Sequence, residues 1–297
     1  MAVFRISGSS RRALLAAQGA FALVLASGAL VFASGAFAQA QQPAAQSSVL
    51  TPHRATYDLS LLKAEGRNAP AGVQGRIVYE FNGNACEGYT TNFRQITEMA
   101  PAEGPVRLAD MRSTTFESGD GALFRFRIET LTNGSRTKLI EGAAERSGGT
   151  LSVVLRQPAP QKADLAEEAL FPVQQTLRGL AAARAGENAI EFKVYDGSAD
   201  GMKIYHSLNI VGQPLSRPAG DAAAETAVMK DTRRWPLIAS YFDQNKGDSK
   251  PVYTLSFELW ENGVSSNLKL DYGDFILAGK LSKLELLKAT PCDKPAK

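Results

Sequence analysis

The sequence predicts a mainly β protein, built on one long, curved antiparallel sheet with a single amphipathic helix. Three observations predict it. Apolar residues recur with a period of two along most of the chain; Ala55, Tyr57, Leu59 and Leu61, for example, alternate with Arg54, Thr56, Asp58 and Ser60. That is the pattern of strands with one buried and one wetter face. Asn82-Gly83, Asp120-Gly121, Asn133-Gly134 and Asn262-Gly263 fall between the alternating runs. Such pairs supply the positive φ of tight hairpin turns, so the strands they join run antiparallel. Finally, no internal repeat and no linker divides the chain, and a domain with many strands must curl or close to protect its edges.

Taken in order, strands are expected at 54–61, 73–81, 89–97, 107–116, 123–131, 137–145 and 151–156. Residues 172–186 differ. Pro172 suits a first helical turn, Leu177, Leu180, Ala181 and Arg184 recur at helical spacing, and Gly186 ends the run. Strands resume at 190–195, 202–211 and 233–242, with a Pro-, Ala- and Gly-rich loop at 214–225. The clearest hairpin follows: 253–259, a turn at Asn262-Gly263, and a return over 266–272. A final strand or pair covers 275–287.

The first 38 residues stand apart. Arg5, Arg11 and Arg12 precede an apolar stretch from Ala13 to about Phe32, and Ala36-Phe37-Ala38 places small residues where a signal peptidase reads. This predicts a Sec-type export signal cleaved after Ala38 or Ala40; a retained anchor is the alternative. Residues 39–50, rich in Gln, Ala and Ser, read as a flexible leader, and 51–297 as a single β-rich domain. The expected location is the periplasm. No later stretch is apolar enough to span a membrane.

Of 33 Lys and Arg, three lie in the signal and no Asp or Glu does, so the mature chain carries 30 basic against 30 acidic side chains. A net charge near zero gives no electrostatic case for nucleic acid. The two cysteines, Cys86 and Cys292, read as a pair in an exported chain; two buried free thiols are the alternative. Closing so long a loop constrains the unfolded chain by about 5 kcal/mol in the loop-entropy model.

Catalytic chemistry is poorly supplied. His53 and His206 have no Ser or Cys beside them in a nucleophile setting, and Gly-x-Ser-x-Gly is absent. Glu117 with Asp120, and Asp271 with Asp274, read as solvated turn residues. Asp196-Gly197-Ser198-Ala199-Asp200-Gly201 resembles a calcium loop at Asp196, Ser198 and Asp200, but Ser207 stands where the twelfth-position Glu belongs. A tight turn is the expected reading, with no metal and no cofactor. Aromatic residues fall in or beside most strands, and a curved sheet lined by them suits an acyl chain or apolar peptide as well as an ordinary core.

Several motifs run in order through the chain. His53-Arg54-Ala55-x-Tyr57-Asp58-Leu59, Gly75-Arg76-x-Val78-Tyr79-Glu80-Phe81 and Ala85-Cys86-Glu87-Gly88-Tyr89 come first. Leu170-Phe171-Pro172, Val194-Tyr195-Asp196-Gly197-Ser198, Trp235-Pro236 with Ser240-Tyr241-Phe242, Glu261-Asn262-Gly263-Val264 and Leu270-Asp271-Tyr272-Gly273-Asp274-Phe275 follow. Together they resemble the EipB family of periplasmic cell-envelope integrity proteins. The resemblance implies a spiral-like antiparallel sheet similar to the lipoprotein carriers LolA and LolB, a Cys86–Cys292 disulfide, and a role in envelope integrity under stress. It implies no catalytic residue. The expected function is non-enzymatic support of the envelope through an apolar ligand, a lipid or lipoprotein, or a periplasmic protein partner. A scaffold without a small ligand is the alternative, and an unrecognised hydrolase of envelope polymers the third.

Overall fold

Among the described residues, fourteen strands form one antiparallel sheet. They are β1 (His53–Ala64), β2 (Gly72–Asn84), β3 (Gly88–Ala100), β4 (Arg107–Glu117), β5 (Leu123–Thr132), β6 (Ser135–Ser147), β7 (Thr150–Gln157), β8 (Gln161–Leu165), β9 (Ala189–Val194), β10 (Tyr205–Val211), β11 (Arg234–Phe242), β12 (Tyr253–Trp260), β13 (Ser265–Asp271) and β14 (Phe275–Leu286), with one helix, α1 (Pro172–Ala185), between β8 and β9. The computed structural model describes residues 50–65, 69–165, 168–226, 229–243 and 250–292. The expected export signal, and the leader up to residue 49, lie outside the described residues. Among those described, no helix is long and apolar enough to cross a membrane.

The strand order is β8-β7-β6-β5-β4-β3-β2-β1-β14-β13-β12-β11-β10-β9. Two meanders therefore run outward from a central β1–β14 pair, and the sheet does not close: β8 and β9 are its edges. The helix shows how strongly the sheet curls. Gln174 bonds to β4-side groups, whereas its neighbour Gln175 bonds to Ser207 on β10 and Tyr241 on β11. In a flat sheet β4 and β11 would lie seven spacings apart, about 34 Å, far more than the ~10 Å width of a helix. The sheet wraps around α1, which sits in its concavity.

Burial follows the period of two. Val173, Leu180 and Ala183 of α1 share one core with Phe81, Tyr89, Val211, Trp235, Leu237 and Leu259. A second core joins Phe124, Phe126, Ile140, Leu151 and Val153 to Phe171 and Tyr195. A third surrounds β1, β14 and β13 and is covered by residues of the β10–β11 connection, Ala219, Ala224 and Met229. Gly179 lies on the buried face of α1 with open space beside it; an added Cβ would meet only Leu237 Cδ1, at an ordinary 3.8 Å. Gly179→Ala should therefore stabilise the fold by about 0.5–1 kcal/mol through helix propensity, read as an increase in Tm.

Several expectations need correction. Asn82-Gly83 does not turn. Both belong to β2, and Ala85-Cys86-Glu87 makes the turn. Gly83 has φ +108° there, and a Cβ would stand 2.1 Å from the Gly88 carbonyl oxygen, so the position requires glycine. Residues 202–204 are not strand; β10 begins at Tyr205. Strand β8 was not expected. It is short, follows Pro158 and Pro160, and carries Lys162 and Asp164, charges that suit a sheet edge and blur any alternation. Residues 275–286 form one strand, not a pair.

Candidate functional site on the concave face

The site begins with how α1 is held. Its first turn has no cap of its own: Phe171 occupies the N-cap position without a side-chain bond, and Pro172 follows. Glu117, at the end of β4, supplies the cap from across the concavity. Its Oε2 accepts from Val173 N at 2.8 Å and its Oε1 from Gln174 N at 2.9 Å. Two of the orphan donors of a helix start are thereby satisfied by one carboxylate, at the positive end of the helix dipole. Glu117 is 1% exposed. Burial pushes its pKa up to about 7, against the pull of the two amides and the nearby Arg146 guanidinium. The expectation that Glu117 and Asp120 are a solvated pair is thus half wrong. Asp120 is exposed and bonds its own turn, while Glu117 is sealed inside and seats the helix.

Beside α1 the concave face becomes polar, then aromatic. Gln175 Nε2 donates to Ser207 Oγ at 3.3 Å and lies 3.2 Å from Tyr241 Oη, and Asn209 Nδ2 donates to Ser207 Oγ at 3.0 Å. From Tyr241 a strip of rings runs along β11 to β14. Centroids are 6.2 Å apart for Tyr241–Tyr253, 5.2 Å for Tyr253–Tyr272 and 4.9 Å for Tyr272–Phe275. Phe93, Phe257 and Leu255, on inward positions of β3 and β12, are partly exposed next to it. Tyr272 is 38% exposed. Burial raises the pKa of Tyr241, Tyr253 and Tyr272, and pushes that of nearby Tyr79 up to about 12, so these phenols are neutral at physiological pH. The surface offers uncharged rings with hydroxyls at their rims.

The other sequence-predicted positions are placed as follows. Asp196 Oδ1 accepts from Ser198 N at 2.8 Å, and Asp200 Oδ1 accepts from Met202 N at 2.9 Å. Both carboxylates fold their own turn. A Cβ at Gly197 would meet the Phe126 ring at 2.6 Å, and one at Gly201 the Leu155 side chain at 2.8 Å. This turn is packed against β5–β7, which explains its glycines. Among the described residues no group of three or more His, Cys, Asp and Glu is placed to hold a metal. His53 is buried, with Nδ1 2.7 Å from the Thr51 carbonyl oxygen, and burial lowers its pKa. His206 is the second residue of β10. Cys86 and Cys292 meet at the β2–β3 turn with Cα atoms 5.7 Å apart, a disulfide-capable separation. An open groove of about 510 Å³, outside this strip, is lined by Asp58, Gln74, Arg76, Ile96 and Glu98, where Arg76 and Asp58 pair at 2.8 Å.

Comparison with known proteins decides the family. The EipB-like family model matches residues 44–288. The chain belongs to the EipB-like family. One EipB-like relative is the "Cell envelope integrity protein EipB" of Brucella abortus (strain 2308), 38% identical over 262 residues, which span 88% of this chain and 92% of the relative. A solved structure is similar as well: a "Beta-barrel-like Protein of Domain of Unknown Function DUF1849" from Brucella abortus, with TM-score 0.77 and 36% identity, covering 81% of this chain and all of the other. The resemblance read from the motifs holds, and so does the unclosed, mainly β fold with one helix. Sequence reasoning missed Glu117 and the Gln175–Ser207–Tyr241 group, since only the curl brings these distant positions to one helix turn.

Proposed function

We propose that this EipB-like chain is exported, works in the periplasm without catalysing a reaction, and maintains the envelope by holding an apolar ligand, a lipid or lipoprotein segment, on the concave strip beside α1. The family's named relative supports the envelope role. The observation that carries the ligand is the run of partly exposed, uncharged rings from Tyr241 to Phe275, with a hydrogen-bonding group at its α1 end, the mixture that favours an amphiphile. The proposal includes a Cys86–Cys292 disulfide fastening the β2–β3 turn to the C-terminal segment.

Tyr272→Asp tests it. The ring is 38% exposed, so the substitution should leave Tm within a few degrees of wild type. Cells relying on this variant should nevertheless lose growth on a membrane-active detergent. Full complementation would sink the ligand-strip reading. A scaffold role is the second reading, favoured by the two sheet edges, β8 and the part of β9 before its bridge to Leu170; unchanged function after Leu165→Pro and Ile190→Pro would count against it.

A further inference from the structure

The cysteine pair and the seat of α1 are linked by a short path of contacts. At one end, Asn84 organises the β2–β3 turn: its Oδ1 accepts from Cys86 N at 2.8 Å and Glu87 N at 2.9 Å, while its Nδ2 donates to the Thr290 carbonyl at 3.2 Å. The same turn therefore holds Cys86 and, through both Asn84 and the Cys86–Cys292 contact, the C-terminal segment. Next to Cys86, the Ala85 carbonyl presses on the β4–β5 turn. A Cβ at Gly119 would stand 1.8 Å from the Ala85 oxygen, so only glycine allows the two backbones this close. Gly119 in turn accepts from Gln174 Nε2 of α1 at 3.4 Å, and Glu117, two residues earlier, caps Val173 and Gln174. On the other side of the turn, Gly88 packs on Phe116 and the Glu117 carbonyl, where a Cβ would meet them at 2.7 and 2.8 Å. The β2–β3 turn thus buttresses Glu117 from two directions, and Cys86 and Cys292 are both exposed at its tip.

We propose that the oxidation state of Cys86 and Cys292 sets how firmly the first turn of α1 is seated, and so how open the concave face is to its ligand. This rests on the disulfide of the proposed function. The reaction is exchange with a dithiol. Its thiolate attacks one sulfur, the Cys86–Cys292 bond breaks, and a mixed disulfide forms; the second thiol resolves it. Two electrons and two protons pass to the protein, leaving two thiols, and the dithiol becomes its own disulfide. Exposure of both cysteines gives the reductant access. Once released from the C-terminal segment, the β2–β3 turn bears less firmly on Gly119 and the Glu117 carbonyl, and the cap of α1 loosens before the sheet does.

Hydrogen exchange on the full chain, before and after treatment with dithiothreitol, tests this, with thiols counted in denaturant at each stage. The unreduced protein should show no free thiol and the reduced protein two. Amides of 173–180 should then exchange at least ~5-fold faster in the reduced protein, with those of β11 and β12 unchanged. Cys292→Ser, a small change at an exposed site, should reproduce the effect without reductant. Two free thiols before reduction would overturn the disulfide itself. A bond that is present and reducible, with α1 exchange unmoved or with acceleration spread evenly over the sheet, would overturn the coupling alone.

Discussion

Glu258→Ala is expected to destabilise the protein by about 3–5 kcal/mol, enough to abolish a cooperative transition near physiological temperature in a domain of marginal stability. Glu258 is 2% exposed and Arg234, its partner at 2.7 Å, 7%. Arg217 also donates to Glu258, and Asn267 Nδ2 adds a bond at 3.3 Å. The Arg234 guanidinium lies over the Trp260 ring, 4.9 Å from its centroid, and donates to the Arg217 carbonyl. Removing the carboxylate leaves a buried cation with no counter-charge, and that orphan is the costly species, more than the lost bond. The cluster also fastens the β10–β11 connection over the sheet, helped by Asp221, which accepts from Asn267 N at 2.7 Å. The same variant should therefore expose 217–225 to protease. Urea unfolding with limited proteolysis reads both effects. A loss under 1 kcal/mol would mean that water already reaches the pair.

Glu117→Ala should cost about 3–4 kcal/mol at pH 6. Two helix-start amides lose their acceptor inside the protein, each worth about 1–3 kcal/mol when left unpaired, and a small void opens. The pH response has a definite sign. The pKa of Glu117 rises from 4.5 to about 7 on folding. Between those values the folded chain holds a proton that the unfolded chain has released. The contribution is fully present below pH 4.5 and is lost as pH rises to about 7, up to about 3 kcal/mol in all. Glu117→Gln removes the titration. Wild-type stability, taken relative to Glu117→Gln, should thus fall between pH 4.5 and 8. A flat difference would show that the two amides and Arg146 offset the burial in full.

The sheet was legible because its signal is local. Alternation in β1, β12 and β13, and the Asn133-Gly134 and Asn262-Gly263 turns, depend on residues close in sequence. The helix was legible for the same reason, from Pro172 to Gly186, whose φ of +74° closes it. What failed depends on tertiary contact. Asn82-Gly83 has the composition of a turn, yet Gly83 is glycine because the opposite strand's backbone crowds its Cβ position. Glu117 sits next to a turn and reads as solvated, yet the curl carries a helix start onto it. Asp196 and Asp200 have ligand spacing, yet their oxygens serve backbone amides two residues on, as short Asp side chains do in turns. The strip from Tyr241 to Phe275 was visible only as aromatic strands; that its rings adjoin and stay partly uncovered follows from the register.

The central claim is that the concave strip holds an apolar ligand beside α1. Native mass spectrometry of protein isolated from its own envelope fraction tests it most directly, with wild type and Tyr272→Asp compared. The account predicts a bound species of lipid or acyl-peptide mass on wild type that is lost or strongly depleted on the variant. Wild type free of any adduct, or an adduct retained equally by Tyr272→Asp, would contradict it.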